Sequence, residues 1–127
     1  MFHYSIFILL GSFFLIEEIQ AKQSLRVTAS AYTSRAGETD STPNIAAWGD
    51  TLKPGMKSIA VSRDLIKMGL THNQEVRIEG FKGTFRVLDK MHYRWKKKID
   101  IYMGNNVQKA KQWGRRKVTI HWTKNKK

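Results

Sequence analysis

Period-two alternation of apolar and polar residues recurs along this chain and constrains its fold more than any other feature. Val27, Ala29 and Ala31 alternate with Thr28, Ser30 and Tyr32. Ile59 and Val61 flank Ala60, Val76 and Ile78 flank Arg77, and Phe85 and Val87 flank Arg86. Ile99, Ile101 and Met103 enclose Asp100 and Tyr102, and Val118, Ile120 and Trp122 close the series. Side chains of a strand point alternately to opposite faces, so each stretch reads as a strand with one face in a core. Two short helices fit between the strands. One spans Asp64–Met68, with Ser62 as candidate N-cap and Gly69 at its end; the other spans Val107–Gln112, after Asn105 or Asn106 and before Gly114. Pro54-Gly55 reads as a turn, and Gly80 and Gly83 bracket a hairpin. No internal repeat is visible. Six strands and two helical turns in ~100 residues predict a small closed all-β barrel, because closure removes exposed strand edges. With 127 residues the chain holds one such domain.

The first residues read differently. Tyr4–Ile16 is an apolar run broken only by Ser5, Gly11 and Ser12, and Glu17, Glu18, Ile19, Gln20 and Ala21 follow. A bilayer span takes ~20 residues, so this run suits the apolar segment of a secretory signal, with cleavage after Ala21. Met1, Phe2 and His3 supply no Lys or Arg to its start. An uncleaved anchor and a buried N-terminal helix are the alternatives. The expected division is therefore a signal peptide at 1–21 and a barrel domain at 22–127, ending in a basic tail from Lys124. Export to the periplasm or cell wall follows, without stable membrane insertion after cleavage.

Charge then points to a partner. The chain carries a formal +13, and loss of residues 1–21 removes Glu17 and Glu18 and no Lys or Arg, leaving +15. A body this basic outside the cytoplasm seeks a polyanion such as peptidoglycan, anionic lipid or lipopolysaccharide. The cations cluster beside aromatics: Arg94-Trp95-Lys96-Lys97-Lys98, and Arg115-Arg116-Lys117 after Trp113. That pattern also marks nucleic-acid binders, and an oligonucleotide-binding barrel is an alternative of a different class. The apolar leader argues against it, and no nucleic-acid partner is expected. There is no cysteine, which removes disulfides, zinc-thiolate sites and thiol nucleophiles. His92 and His121 belong to no ligand cluster of metal-site spacing, so no metal or cofactor is expected.

Few acids remain after Ala21. Glu75 and Glu79 flank a strand and read as solvated counter-charges, Asp50 lies in a polar turn, and Asp64 suits a helix start. Asp89 ends the strand Thr84–Leu88, and Asp100 lies mid-strand on the face shared by Lys98 and Tyr102.

These acids carry a family resemblance. Val27-Thr-Ala-Ser-Ala-Tyr-Thr33, Ile59-Ala-Val-Ser-Arg-Asp64, Val87-Leu-Asp89 and Ile99-Asp-Ile-Tyr-Met-Gly104 resemble the three-aspartate (3D) domain. So do Ala110-Lys-Gln-Trp-Gly114 and the closing Val118-Thr-Ile-His-Trp122. That domain is the double-psi β-barrel of membrane-bound lytic transglycosylase A and stationary-phase muralytic proteins. The resemblance spans nearly all of residues 25–122. It implies a double-psi barrel acting on peptidoglycan glycan strands, with Asp100 as acid/base and Asp89 and Asp64 as supporting carboxylates. It adds Thr42 and Asp40, in Glu38-Thr-Asp-Ser-Thr-Pro43, to Lys98 and Tyr102 as candidate substrate-binding residues. One segment departs from the family pattern. Many members follow the second aspartate with an Asp-Thr-Gly-Gly type loop, whereas this chain has Lys90-Met-His-Tyr-Arg-Trp-Lys-Lys-Lys98.

The implied reaction makes a demand on Asp100. A lytic transglycosylase uses one carboxyl group to protonate the leaving oxygen and then to take the proton from the C6 hydroxyl of the same muramyl ring. A hydrolase needs a second carboxylate as nucleophile or base. An Asp with a reference pKa of ~3.9 must rise by two to three units to do this near neutrality, roughly 3–4 kcal/mol of environment. Lys98 opposes that rise and a close Asp89 favours it. A barrel that binds cell-wall glycan without cleaving it, as expansin-like proteins do, is the alternative on the same fold.

Overall fold

The computed structural model describes residues 20–34 and 44–125. Residues 1–19, which hold most of the expected signal, lie outside that range, as do Asp40 and Thr42. Among the described residues no helix is long and apolar enough to cross a membrane.

The chain runs β1 (Gln20–Tyr32), β2 (Ser58–Val61), α1 (Arg63–Lys67), β3 (Glu75–Ile78), β4 (Phe85–Lys90), β5 (Lys98–Tyr102), α2 (Val107–Trp113) and β6 (Arg116–Asn125). The strands close into a barrel in the order β1-β5-β2-β4-β3-β6. Two neighbouring pairs are parallel, β1 with β5 and β2 with β4. The pairs β1–β6, β2–β5, β3–β4 and β3–β6 are antiparallel. Exchanging β1 with β4, β2 with β5 and β3 with β6 maps every pairing onto another of the same sense, and it maps α1 onto α2. The topology is thus two interlocked ββαβ halves related by a two-fold, which is the double-psi arrangement. Sequence shows no repeat at this spacing because the halves share connectivity and not side chains.

Burial follows the alternation. Val27, Ala29, Ile59, Val61, Val76, Ile78, Phe85, Val87, Ile99, Ile101, Val118, Ile120 and Trp122 point inward and join Leu65 and Leu70 in one core. α1 contributes Leu65 to it. Asn106 caps α2 by accepting from the Lys109 amide at 3.0 Å, and Trp113 at its end donates its indole N–H to the Ala29 carbonyl of β1 at 3.1 Å.

Two boundaries differ from the sequence expectation. β1 begins at Gln20, so Ala21 and Gln20 pair with Lys124 and Asn125. β6 therefore extends through the first residues of the expected tail. β5 differs more: its outer face is covered as well, and Lys98 and Tyr102 are both buried. A second apolar cluster lies there, formed by Ala46, Leu52, Leu88 and Tyr102 with Tyr32 and Met56 against it. The segment after residue 44 lies over this outer wall, and Gly104 lets it approach. Gly104 has φ +59°, and a Cβ on it would stand 3.1 Å from Pro54 Cα.

Candidate functional site

Four neighbouring strands place one row of residues on this covered wall. Asp100 of β5 has Ser30 of β1 opposite it on one side and Ala60 of β2 on the other. Ala60 in turn has Asp89 of β4 opposite it. The row reads Ser30, Asp100, Ala60, Asp89, so the two carboxylates sit two strand spacings apart, about 10 Å between Cα atoms, with only a methyl group between them.

A β-bulge makes this row. Ser58 and Ile59 pair with Arg86 and Val87, but Ala60 pairs with Asp89, which leaves Leu88 as an extra residue. Without that insertion, Asp89 would keep the inward phase of Phe85 and Val87. The bulge turns it to the outer face beside Asp100. Its Oδ1 then accepts from the Ala47 amide at 2.8 Å and its neighbour's amide, Lys90, at 2.9 Å.

Around these acids lies a cavity of about 210 Å³ lined by Tyr32, Ala60, Asp89, Lys90, Met91, His92, Trp95 and Asp100. The bulky segment after Asp89 forms a wall of the cavity and leaves it open. Met91 is tied down by its amide, which donates to the Val61 carbonyl at 2.9 Å. A larger concavity of about 370 Å³ lies at the β3–β6 seam, but its carboxylate, Glu75, is exposed and paired with Arg86 at 3.1 Å. The two neighbouring carboxylates, Asp89 and Asp100, line the smaller cavity.

Asp100 is held above the usual carboxylate range. Burial is the largest cause, and Asp89 adds a smaller push in the same direction. The Ser30 hydroxyl, donating to Asp100 Oδ1 at 2.5 Å, and the Lys98 charge both pull downward. Between the two charged neighbours, Lys98 acts more strongly than Asp89, so it is desolvation that lifts this group. The ammonium of Lys98 is engaged elsewhere, 3.8 Å from the centroid of the Trp95 ring. Tyr32 completes the site. Its buried hydroxyl lies beside the Asp89 carboxylate, and burial together with the Asp89 and Asp100 charges keeps it firmly protonated.

No family model matches this sequence, and no curated protein matches it. The three-aspartate likeness rests on the residues themselves.

The remaining candidates separate. Asp64 does not line the cavity: its Oδ2 accepts from the Lys97 amide at 2.9 Å, which pins a residue in the left-handed region at φ +46°. Burial would raise this carboxyl, but the Ser62 hydroxyl beside it, the Lys97 amide, its own amide and the Lys96 charge hold it below the usual range. Tyr102 is absent from the cavity wall too. Its hydroxyl shares a hydrogen bond of 2.8 Å with Ser34 Oγ and its ring lies 5.4 Å from that of Tyr32, so it supports Tyr32 from behind. Lys98 touches the cavity only through Trp95. Sequence reasoning assigned no role to Ser30 or Ala60, whose importance comes from strand neighbours distant in sequence. Tyr32 was likewise given no role, although all three lie within stretches of the family resemblance. Among the described residues no three His, Asp or Glu side chains converge as a metal site would require.

Proposed function

We propose that this protein is a peptidoglycan lytic transglycosylase, cleaving the bond between N-acetylmuramic acid and N-acetylglucosamine with Asp100 as its single acid/base. The observation that carries the reading is a carboxyl group lifted by burial and standing on the wall of an open cavity with a second carboxylate across one alanine. Asp100 donates its proton to the glycosidic oxygen as the bond from C1 breaks. Asp89, accepting two backbone N–H groups, is placed to stabilise the positive charge that develops on the sugar ring. Asp100, now a carboxylate, takes the proton from the C6 hydroxyl as O6 bonds to C1, which regenerates the acid and closes the 1,6-anhydro ring without water. Export to the cell wall and a glycan-strand partner belong to the same reading.

A binding-only barrel is the second reading, favoured by Ser30 and Lys98, which both stabilise the ionised form of Asp100. Digestion of purified peptidoglycan followed by mass analysis decides between them. Anhydro-muropeptides are the expected products. Reducing-end products one water heavier would identify a hydrolase, and sacculi that bind the protein but release nothing would identify the binding module.

A further inference from the structure

Next to the acid cavity lies a second concavity of about 340 Å³, lined by Thr28, Arg115, Arg116 and Lys117. Strand register puts Thr28 between Lys98 of β5 and Lys117 of β6. The guanidinium of Arg115 stands 5.9 Å from the centroid of the Trp95 ring, and Trp95 is a wall of the acid cavity. One indole therefore separates the two depressions.

We infer that this concavity is an anion subsite, and that it holds a carboxylate of the peptide stem carried by the glycan strand; this rests on the cleavage reading above. Its cations are arranged to receive a charge from outside. Arg116 is fixed in place, stacked on Trp113 at 4.1 Å and donating from Nε to the Trp113 carbonyl at 2.9 Å and from Nη2 to the Gln112 carbonyl at 3.3 Å. A guanidinium has five N–H donors, so others remain for a ligand. Among the described residues, no carboxylate forms an ion pair with Arg115, Arg116 or Lys117. A muramyl ring in the acid cavity bears its peptide on the lactyl ether, and the free anions of an unmodified strand are the stem carboxylates. Planar guanidinium groups pair with carboxylates through two parallel hydrogen bonds, which suits the two arginines.

The test is sedimentation with teichoic-acid-free sacculi, either native or with their stem carboxylates converted to amides. Wild type is expected to bind native sacculi about 10- to 100-fold more tightly than amidated ones, the scale of one or two hydrogen bonds to a charged group. Arg115→Gln/Lys117→Gln, which leaves the anchored Arg116 in place, is expected to lose most of that preference. Lys53→Gln/Lys82→Gln removes the same charge from other exposed positions and is expected to keep it. Equal binding of wild type to both sacculi, or an Arg115/Lys117 variant with full preference, overturns the subsite. So does displacement by single-stranded DNA at concentrations where soluble carboxylated stem peptides have no effect. Mass analysis of the same incubations separates the two proposals. Anhydro products without a carboxylate preference retain the cleavage reading and remove the subsite; a carboxylate preference without anhydro products does the reverse.

Discussion

At the scale of single residues, Asp100 is more costly to ionise in the folded chain than in the unfolded one. Because its folded pKa is raised, the native state holds the extra proton between the unfolded and folded values. Its contribution to stability is full in acid, declines as pH rises through that window and stays reduced at neutrality. Asp100→Asn, which still accepts the Ser30 bond, is therefore expected to melt higher than wild type at pH 7 and level with it below pH ~3.9. Cleavage should fall by about 10²- to 10⁴-fold, towards the upper end because one group fills both proton-transfer roles. An ordinary ion-paired aspartate would show the opposite melting pattern, losing stability at neutrality. Asp89→Asn keeps an oxygen for the Ala47 and Lys90 amides and removes only the charge. Its pH optimum should move towards acid, since a negative neighbour no longer helps Asp100 hold its proton, and a pH–rate profile of the two proteins checks this.

At the scale of elements, the site is a product of strand order. The alternation in sequence identified all six strands and the outward phase of Asp100, and the resemblance drew Asp89 to the same cleft. It could not show that Ser30 and Ala60 flank Asp100, because β1–β5 and β2–β5 are pairs closed over long sequence separations. Simple alternation would even have sent Asp89 inward; the extra residue at Leu88 leaves no mark in a period-two pattern. The covering of β5 was hidden for a related reason, as it comes from the distant Ala46–Leu52 segment. Asp64 shows the other limit. Its place at the start of α1 was readable, but its carboxylate turns to the backbone of the β4–β5 connection. Asp64→Asn keeps an oxygen for the Lys97 amide but removes the charge that strengthens that bond, and is expected to lower stability by about 1 kcal/mol while the folded variant keeps its cleavage rate. With a lowered folded pKa, Asp64 stabilises above its unfolded value and ceases to as pH falls through the folded one. Denaturation midpoints should separate wild type from variant at pH 7 and converge once the pH has fallen through the lowered folded value.

At the scale of the whole molecule, a +13 chain carries two neighbouring carboxylates that no cation among the described residues neutralises by direct contact. The cations nearest the cavity are held by aromatic rings instead: Lys98 and Arg94 lie on Trp95, and Lys90 lies on Trp48. Cation–π contacts fix a positive charge without cancelling it, so the surroundings of the cavity stay positive beside the acid pair, which under the proposed function draws in an anionic polymer. Binding to sacculi should weaken steeply with salt, as the screening length shrinks from ~10 Å at 0.1 M to ~3 Å at 1 M. Retention unchanged across that range would mean that apolar stacking holds the glycan.

The claim on which the rest depends is that Asp100 carries its proton above the ordinary aspartate range. Carboxyl ¹³C NMR titration of the folded protein, with the Asp100 signal assigned by its loss in Asp100→Asn, measures this without any substrate. The expected midpoint lies clearly above ~3.9 and moves down when Asp89 is replaced by Asn. A midpoint at or below that value would show that Ser30 and Lys98 outweigh burial, and Asp100 would then hold no proton to give to a glycosidic oxygen.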